Sequence, residues 1–203
     1  QSLCLRLLAN RPPVAAPVDR GDVEDAVQLL SEMIDAPRTT DVTRAIQGLH
    51  ALGAFNEKCA DTRAVDGLSI LGTTLSRIPT DLWVGKLLLY GAALCVLTPV
   101  CVIAASLNAT VALWPARNEA KSRQHFDPSS DLMAVLRAWQ EWSALRDTSV
   151  VSDTRAEEFC LQHGLCCGAL ETLDSEAARL KSEVIAVLPR HAAAQADCHA
   201  GNT

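Results

Sequence analysis

The sequence predicts a mainly α-helical chain, and three observations carry that expectation. Of its 203 residues 49% are hydrophobic but only 4% aromatic, so the core has to be built of Leu, Val and Ala, a mixture that favours helices over strands. Apolar residues recur at spacings of three and four along most of the chain, the period of a helix with one buried face. The stretch from Leu87 to Ala116 carries no Asp, Glu, Lys, Arg or His, yet Pro99 falls inside it.

That uncharged stretch reads either as a membrane span or as buried core. A span needs about 20 consecutive residues of apolar helix. Thr98-Pro99 has the arrangement of an N-cap followed by a first helical position, where proline is well tolerated. The stretch therefore reads as two helices, roughly 82–96 and 99–107, with Asn108 and Thr110 ending the second. Neither flank has the basic cluster or paired aromatic belts that orient a span. Two core helices and no membrane partner are expected.

The remaining elements follow in order. After the leader "QSLCLRLLAN", the segment "RPPVAAPVDRG" is a proline-rich connector. A helix begins at Asp22, with Val23, Ala26, Val27, Leu30 and Ile34 in register, and Pro37 stops it. A second runs from about Thr40 to Leu52, capped by Thr40 or Asp41, with Val42, Ile46, Leu49 and Leu52 on one face and Gly53 at its end. Turn-rich pieces between residues 54 and 70 suit a small hairpin, and "LSILGTTLSRIP" is a short helix closed by Pro79. "ARNEAKSRQHF" is a mixed-charge stretch. Ser129 or Ser130 then caps a helix with Leu132, Val135, Leu136, Trp139 and Trp142 on one face, both tryptophans serving as packing residues. Another helix, about Thr154–His163, ends at Gly164, and the last, about Gly168–Leu188, repeats Leu170, Leu173, Ala177, Leu180, Val184 and Val187. The tail after Pro189 is expected to be disordered.

Charge and cysteine usage narrow the function classes. Eighteen basic against 24 acidic residues give a net charge of −6, so a general basic patch for nucleic acid is not suggested. The eight cysteines are scattered through apolar helical stretches, where a thiol acts as a small hydrophobe. No disulfide framework and no basic-then-apolar leader is evident, which points to an intracellular, reducing compartment, cytoplasm or nucleus with the mitochondrion also compatible. Cys160, His163, Cys166 and Cys167 raise zinc as a possibility, but structural zinc sites usually pair two well-separated couples of ligands. Buried thiols and a surface histidine fit that cluster better, and no metal is expected. Asp153, Glu157 and Glu158 sit in a first helical turn, where carboxylates offset the dipole without any catalytic role.

Several stretches, in order, resemble the region C-terminal to the motor domains of DEAH/DExH-box RNA helicases: "GDVEDAVQLLSEMIDAP", "AIQGLHALGAFN", "LSILGTTLSRIPTDLWVGKLLLYGAAL", "LTPVCVIAASL" and "SDLMAVLRAWQEW". The resemblance implies the tail of a second motor domain and linker (1–18), a degenerate winged helix (19–80), a helical bundle called the ratchet (81–188) and a disordered tail (189–203). It also implies what this chain does not carry. The family's phosphate loop, D-E-x-H box and arginine finger lie in the motor domains, so ATP and magnesium belong there and no catalytic residue is assigned here. Gly85-Lys86 is no phosphate loop, because Thr80 and Leu87 stand where Gly and Ser/Thr are required; Lys86 reads as a helical residue with a surface ammonium. Departures from the family pattern are Leu132, where a His is usual, and Gly164 and Gly168 near the start of the last helix.

The implied function is an accessory module of an ATP-dependent RNA helicase, shaping the RNA channel and coupling motor motion to RNA. Its implied partners are RNA, the motor domains and OB-fold in cis, and a glycine-rich activator protein. Arg117, Lys121, Arg123 and His125, the densest basic stretch, are the RNA-binding candidates; Glu24, Gln28 and Glu32, on the polar side of the first helix, are the partner-binding candidates. A solvated charged loop and a solvated helix face are the plainer readings of these two sets. The rival function is a non-catalytic structural or adaptor protein derived from such a helicase.

Overall fold

The structure, a computed structural model, describes residues 2–9, 30–31, 35–55, 68–109, 112–115, 119–146 and 152–189. Among these the regular structure is helical: α1 (Ser2–Ala9), α2 (Thr39–Leu52), α3 (Ile70–Arg77), α4 (Leu82–Ala93), α5 (Leu97–Leu107), α6 (Glu119–Phe126), α7 (Asp131–Arg146), α8 (Ser152–His163) and α9 (Cys167–Val187). The chain forms two compact units, Gln1–Lys86 and Leu87–Thr203, so that the division falls within α4. No described helix is long and apolar enough to cross a membrane.

In the first unit α1 packs against α2 and α3 and buries Cys4 and Leu5. On α2 the expected face is the buried one, Val42, Ile46, Leu49 and Leu52. Its start differs from expectation. Arg38, not Thr40 or Asp41, is the cap, because its extended backbone offers the carbonyl that receives the Asp41 and Val42 amides at 2.9 and 3.2 Å. Asp41 lies inside the first turn, where it favours the dipole and pairs with Arg38 at 3.0 Å. Of the expected helix before Pro37, Leu30 and Ser31 are helical and Leu30 is buried; the others, apart from Asp35 and Ala36, lie outside the described residues.

The α2–α3 junction is made of backbone. Gly53 takes a left-handed φ of 83°, its N–H reaching the His50 carbonyl and that of Ala54 the Leu49 carbonyl. This satisfies two carbonyls that a helix end otherwise leaves open. Phe55 then pairs with Leu68 in an isolated antiparallel bridge, and residues 56–67, where a hairpin is expected, lie outside the described residues. Ser69 fastens the joint: its N–H reaches Ala54 O at 2.8 Å, its hydroxyl donates to Gly53 O at 2.7 Å and accepts the Gly72 amide at 3.0 Å. Gly72 lies so close that a Cβ there would sit 2.2 Å from Ala54 O. Lys86 corrects the expectation of a surface ammonium, since its Nζ donates to Leu52 O at 2.8 Å and so satisfies another end carbonyl of α2.

In the second unit α5 and α9 form the central pair. Leu97, Cys101, Val102, Ala104 and Ala105 are buried on the first, and Leu170, Leu173, Ala177, Leu180 and Val184 on the second. The uncharged stretch does bend into two helices, but not where Thr98-Pro99 suggests. α4 stops at Ala93, Cys95 turns left-handed at φ 58°, and Val96 caps α5. Pro99 is thus the third residue of α5, where its missing N–H costs nothing because first-turn amides have no helical partner. Gly91 lets the two helices approach, a Cβ there falling 2.9 Å from Val100 Cβ.

α7 also departs from its expected stripe. Ala134, Leu136, Ala138 and Trp142 are buried, whereas Leu132 is 38% exposed and Trp139 half-buried with its indole N–H on Asp174 at 3.0 Å. Three helices, α5, α6 and α8, pack against α7, and small alanines let them come close. α6 was not legible as a helix at all. It has no apolar stripe, but Glu, Ala, Lys, Arg and Gln are strong helix formers, and Phe126, 4% exposed, anchors its end.

Candidate functional site

The loop between α6 and α7 sets the site's geometry. Asp127 is buried, and one carboxylate oxygen accepts the Ser129 amide, the Ser129 hydroxyl and the Ser130 amide at 2.8, 2.6 and 3.0 Å. Its other oxygen faces the Arg137 guanidinium at 3.1 Å, and Arg137 also donates to Phe126 O at 2.9 Å. The Ser129 hydroxyl foremost, then the amides and Arg137, hold the Asp127 carboxyl below its usual range against the opposing effect of burial. Ser130 completes the start of α7, accepting the Met133 amide at 3.4 Å. "DPSS" is thus a turn of the Asx kind, and the sequence signal pointed to the serines while missing the aspartate that organises them.

This turn aims α6 and the first turn of α7 at a cavity of about 400 Å³. Its lining includes Trp114, Arg123, Asp131, Leu132 and Leu173. Arg123 and Asp131 are 2.8 Å apart, and the Arg123 guanidinium lies 5.6 Å from the Trp114 ring centre. Trp114 is 4% exposed, and its indole N–H has no partner among the described residues. The cavity therefore offers a cation already neutralised by a carboxylate and apolar walls, with a nearly buried indole in its lining. Leu132, the position where the resemblance leads one to expect His, contributes one of those walls.

The basic candidates do not form a single patch. Arg123 and His125 both lie on α6, but residues two apart point to different sides of a helix. Arg123 turns to the cavity, while His125 stacks on His163 of α8 with ring centres 4.7 Å apart. His163 also packs against Phe126 and Phe159 at 5.3 and 4.6 Å. Burial foremost, with the His125 charge adding to it, pushes the His163 imidazole below its ordinary value. Arg117 lies outside the described residues, as do Glu24, Gln28 and Glu32, and of the Lys121 side chain nothing is described.

The cysteine cluster separates in the same way. Cys160 and Cys167 bring their sulfurs to 2.7 Å, His163 points into the aromatic group, and among the described residues no set of three His, Cys, Asp or Glu converges to hold a metal. Sequence reasoning also missed an apolar surface. Leu87 and Tyr90 on α4 and Leu94 just past its end are 36%, 54% and 72% exposed. Their i, i+3, i+7 spacing was visible, but in an uncharged stretch nothing distinguishes the buried face from the exposed one.

No family model matches the chain. It is 28% identical over 150 residues to the ATP-dependent DNA/RNA helicase DHX36 of Homo sapiens, covering 71% of this chain and 14% of that protein. To the RNA helicase DHX57 of Homo sapiens it is 28% identical over 181 residues, 86% of this chain and 12% of the relative. To the ATP-dependent RNA helicase TDRD9 of Danio rerio it is 30% identical over 153 residues, 70% of this chain and 11% of the relative. The chain is homologous to a region of DEAH-box helicases. The chain spans 11–14% of the length of those three relatives.

Proposed function

We propose that this chain is the helicase-associated part of an ATP-dependent DEAH-box RNA helicase, with residues 19–80 as a degenerate winged helix and 81–188 as the ratchet bundle. The similarity to DEAH-box helicases over most of the chain carries this reading. In it, ATP and magnesium are held by the motor domains, and this region follows their opening and closing while its cavity side borders the RNA path. The exposed Leu87, Tyr90 and Leu94 fit the role, because exposed apolar surface is stabilised by a partner that covers it. One basic candidate serves the same reading: Arg123, partly exposed at the cavity, supplies a cation of the kind that follows the backbone of single-stranded nucleic acid.

Three measurements test it. In a polypeptide joining this chain to the motor domains, Arg123→Ala should weaken single-stranded RNA binding, and a photoreactive RNA should crosslink to peptides of α6. Tyr90→Lys and Leu94→Lys together should lower RNA-stimulated ATP turnover of the joined polypeptide while leaving the helical content of the chain unchanged. Unaltered RNA affinity with no crosslink to residues 119–146 would instead favour the rival, a structural adaptor derived from a helicase, for which the net charge of −6 speaks.

A further inference from the structure

The corner between α8 and α9 holds a chemistry that the helicase reading does not use. Gly164 takes a left-handed φ of 63°, and the Leu165 amide reaches back to Cys160 O at 2.8 Å. The reversal folds the first residue of α9, Cys167, onto the last turns of α8. Its sulfur lies directly against the Cys160 sulfur, the two 2.7 Å apart, and the Ala156 carbonyl lies 3.7 Å from Cys167 Sγ. Cys166, adjacent in sequence, does not share this contact; its amide is tied to Leu113 O at 3.0 Å. Cys160 is buried and Cys167 half-buried. Among the described cysteines this is the pair whose sulfurs touch.

We propose that Cys160 and Cys167 form a dithiol site that closes to an intramolecular disulfide in exchange with a small-molecule disulfide such as oxidised glutathione. Exchange proceeds by attack of a thiolate on a disulfide sulfur. Cys167, the more accessible thiol, loses its proton and attacks the oxidant RS–SR, forming a Cys167–SR mixed disulfide and releasing RS⁻, which takes up that proton as RSH. Cys160 then attacks Cys167 Sγ, its own proton passes to the second departing RS⁻, and the Cys160–Cys167 bond forms. The two cysteines lose two electrons, the oxidant gains them, and one RS–SR becomes two RSH. The order follows from accessibility. It is supported by the position of Cys160, whose thiol is pushed up to about 12 by burial foremost and by the neighbouring Cys167 sulfur, so it attacks only once its partner sulfur is the electrophile. Closure covalently fixes the α8–α9 corner next to His163, and a dithiol reductant reverses it.

The test equilibrates the whole chain in glutathione buffers of graded oxidised-to-reduced ratio, quenches with acid, alkylates the remaining thiols after unfolding, and maps the peptides. Cleavage after Leu161 and Leu165 separates Cys160 from Cys166 and Cys167. The expected result is a Cys160-to-Cys166/167 link appearing in the wild-type chain while Cys4 and Cys101 stay alkylatable. Cys166→Ser should leave the linked fraction unchanged and Cys167→Ser should lower it about tenfold or more. A link that persists in Cys167→Ser, glutathione adducts without any internal link, or full alkylation of all these thiols at every ratio would each overturn the proposal. Where a variant fails to fold, the wild-type map still decides between an internal link, glutathione adducts and full alkylation.

Discussion

The first unit joins its helices with backbone, the second with side chains. At the α2–α3 junction Gly53, Ala54, Ser69 and Gly72 exchange main-chain and hydroxyl hydrogen bonds at 2.7–3.0 Å, and Gly72 leaves no room for a Cβ. Around α7 and α9 the joints are filled by Trp142, Leu170, Leu180 and Val184, each no more than 1% exposed, with the Trp139–Asp174 and Arg137–Asp127 pairs at the margins. A joint of the first kind is damaged by adding atoms, and one of the second by removing them. The two regions should therefore respond to substitution with opposite size preference, and that contrast can be measured.

The largest effect is expected at Trp142, which is 1% exposed with the Arg146 guanidinium 4.8 Å from its ring centre. Trp142→Ala should cost about 3–5 kcal/mol in a urea titration; a loss below about 1 kcal/mol would show that the bundle collapses around the missing ring. Next comes the reverse change, Gly72→Ala. Its added methyl meets the Ala54 carbonyl, and the crowding should cost about 1–3 kcal/mol, more than the roughly 1 kcal/mol expected for Ser69→Ala from the lost cap. If Gly72→Ala were neutral, the backbone account of the first unit would fail.

Titration sharpens the contrast, because the buried Asp127 and the half-buried His163 of the second unit both lose stability in acid but over different pH ranges. Asp127 is held below its ordinary 3.8, so its contribution is present above that value and lost as pH falls through the lower folded one. The deficit of Asp127→Asn relative to wild type should be full at neutral pH and shrink in acid. His163 is held below 6.5; as pH drops through that value the unfolded chain binds more protons than the folded one, and stability falls. His163→Gln should flatten the stability profile between about pH 5 and 7, and an unchanged slope there would place the titration elsewhere. The smallest effect is at Cys95, a non-glycine residue at φ 58°. The Val96 amide reaches Gly91 O at 2.8 Å there, the arrangement that Gly53 provides at the end of α2. Relief of the left-handed strain is partly offset by the freedom glycine adds to the unfolded chain, so Cys95→Gly should gain only about 0.5 kcal/mol.

These cases also show which parts of the architecture could be read from residues. The α2 face, the Gly53 and Gly164 stops and the α9 repeat were legible because each is a local pattern with one physical cause. The α4–α5 bend was foreseen but misplaced, since proline tolerates any first-turn position and the actual turn rests on Cys95, which carries no composition signal. The cavity was only half visible. Arg123 stood out as a charge, but Asp131, Trp114 and the buried Asp127 acquire their roles from chain segments brought together by tertiary packing.

The Arg123–Asp131 pair has a further consequence for any phosphate that approaches the cavity. Asp131 acts as a resident counterion for the guanidinium, 2.8 Å away and itself 73% exposed. A bare cation on a protein surface gathers its neutralising charge from solution. This one carries it covalently, on the next helix. A phosphate that takes the place of Asp131 exchanges one anion for another and pushes a tethered carboxylate into water. The entropy of mixing that usually drives phosphate association comes from ions set free into bulk salt, and a tethered carboxylate adds little to it. Binding at this position would then be ruled by how easily one aspartate swings aside, and far less by how much salt surrounds it.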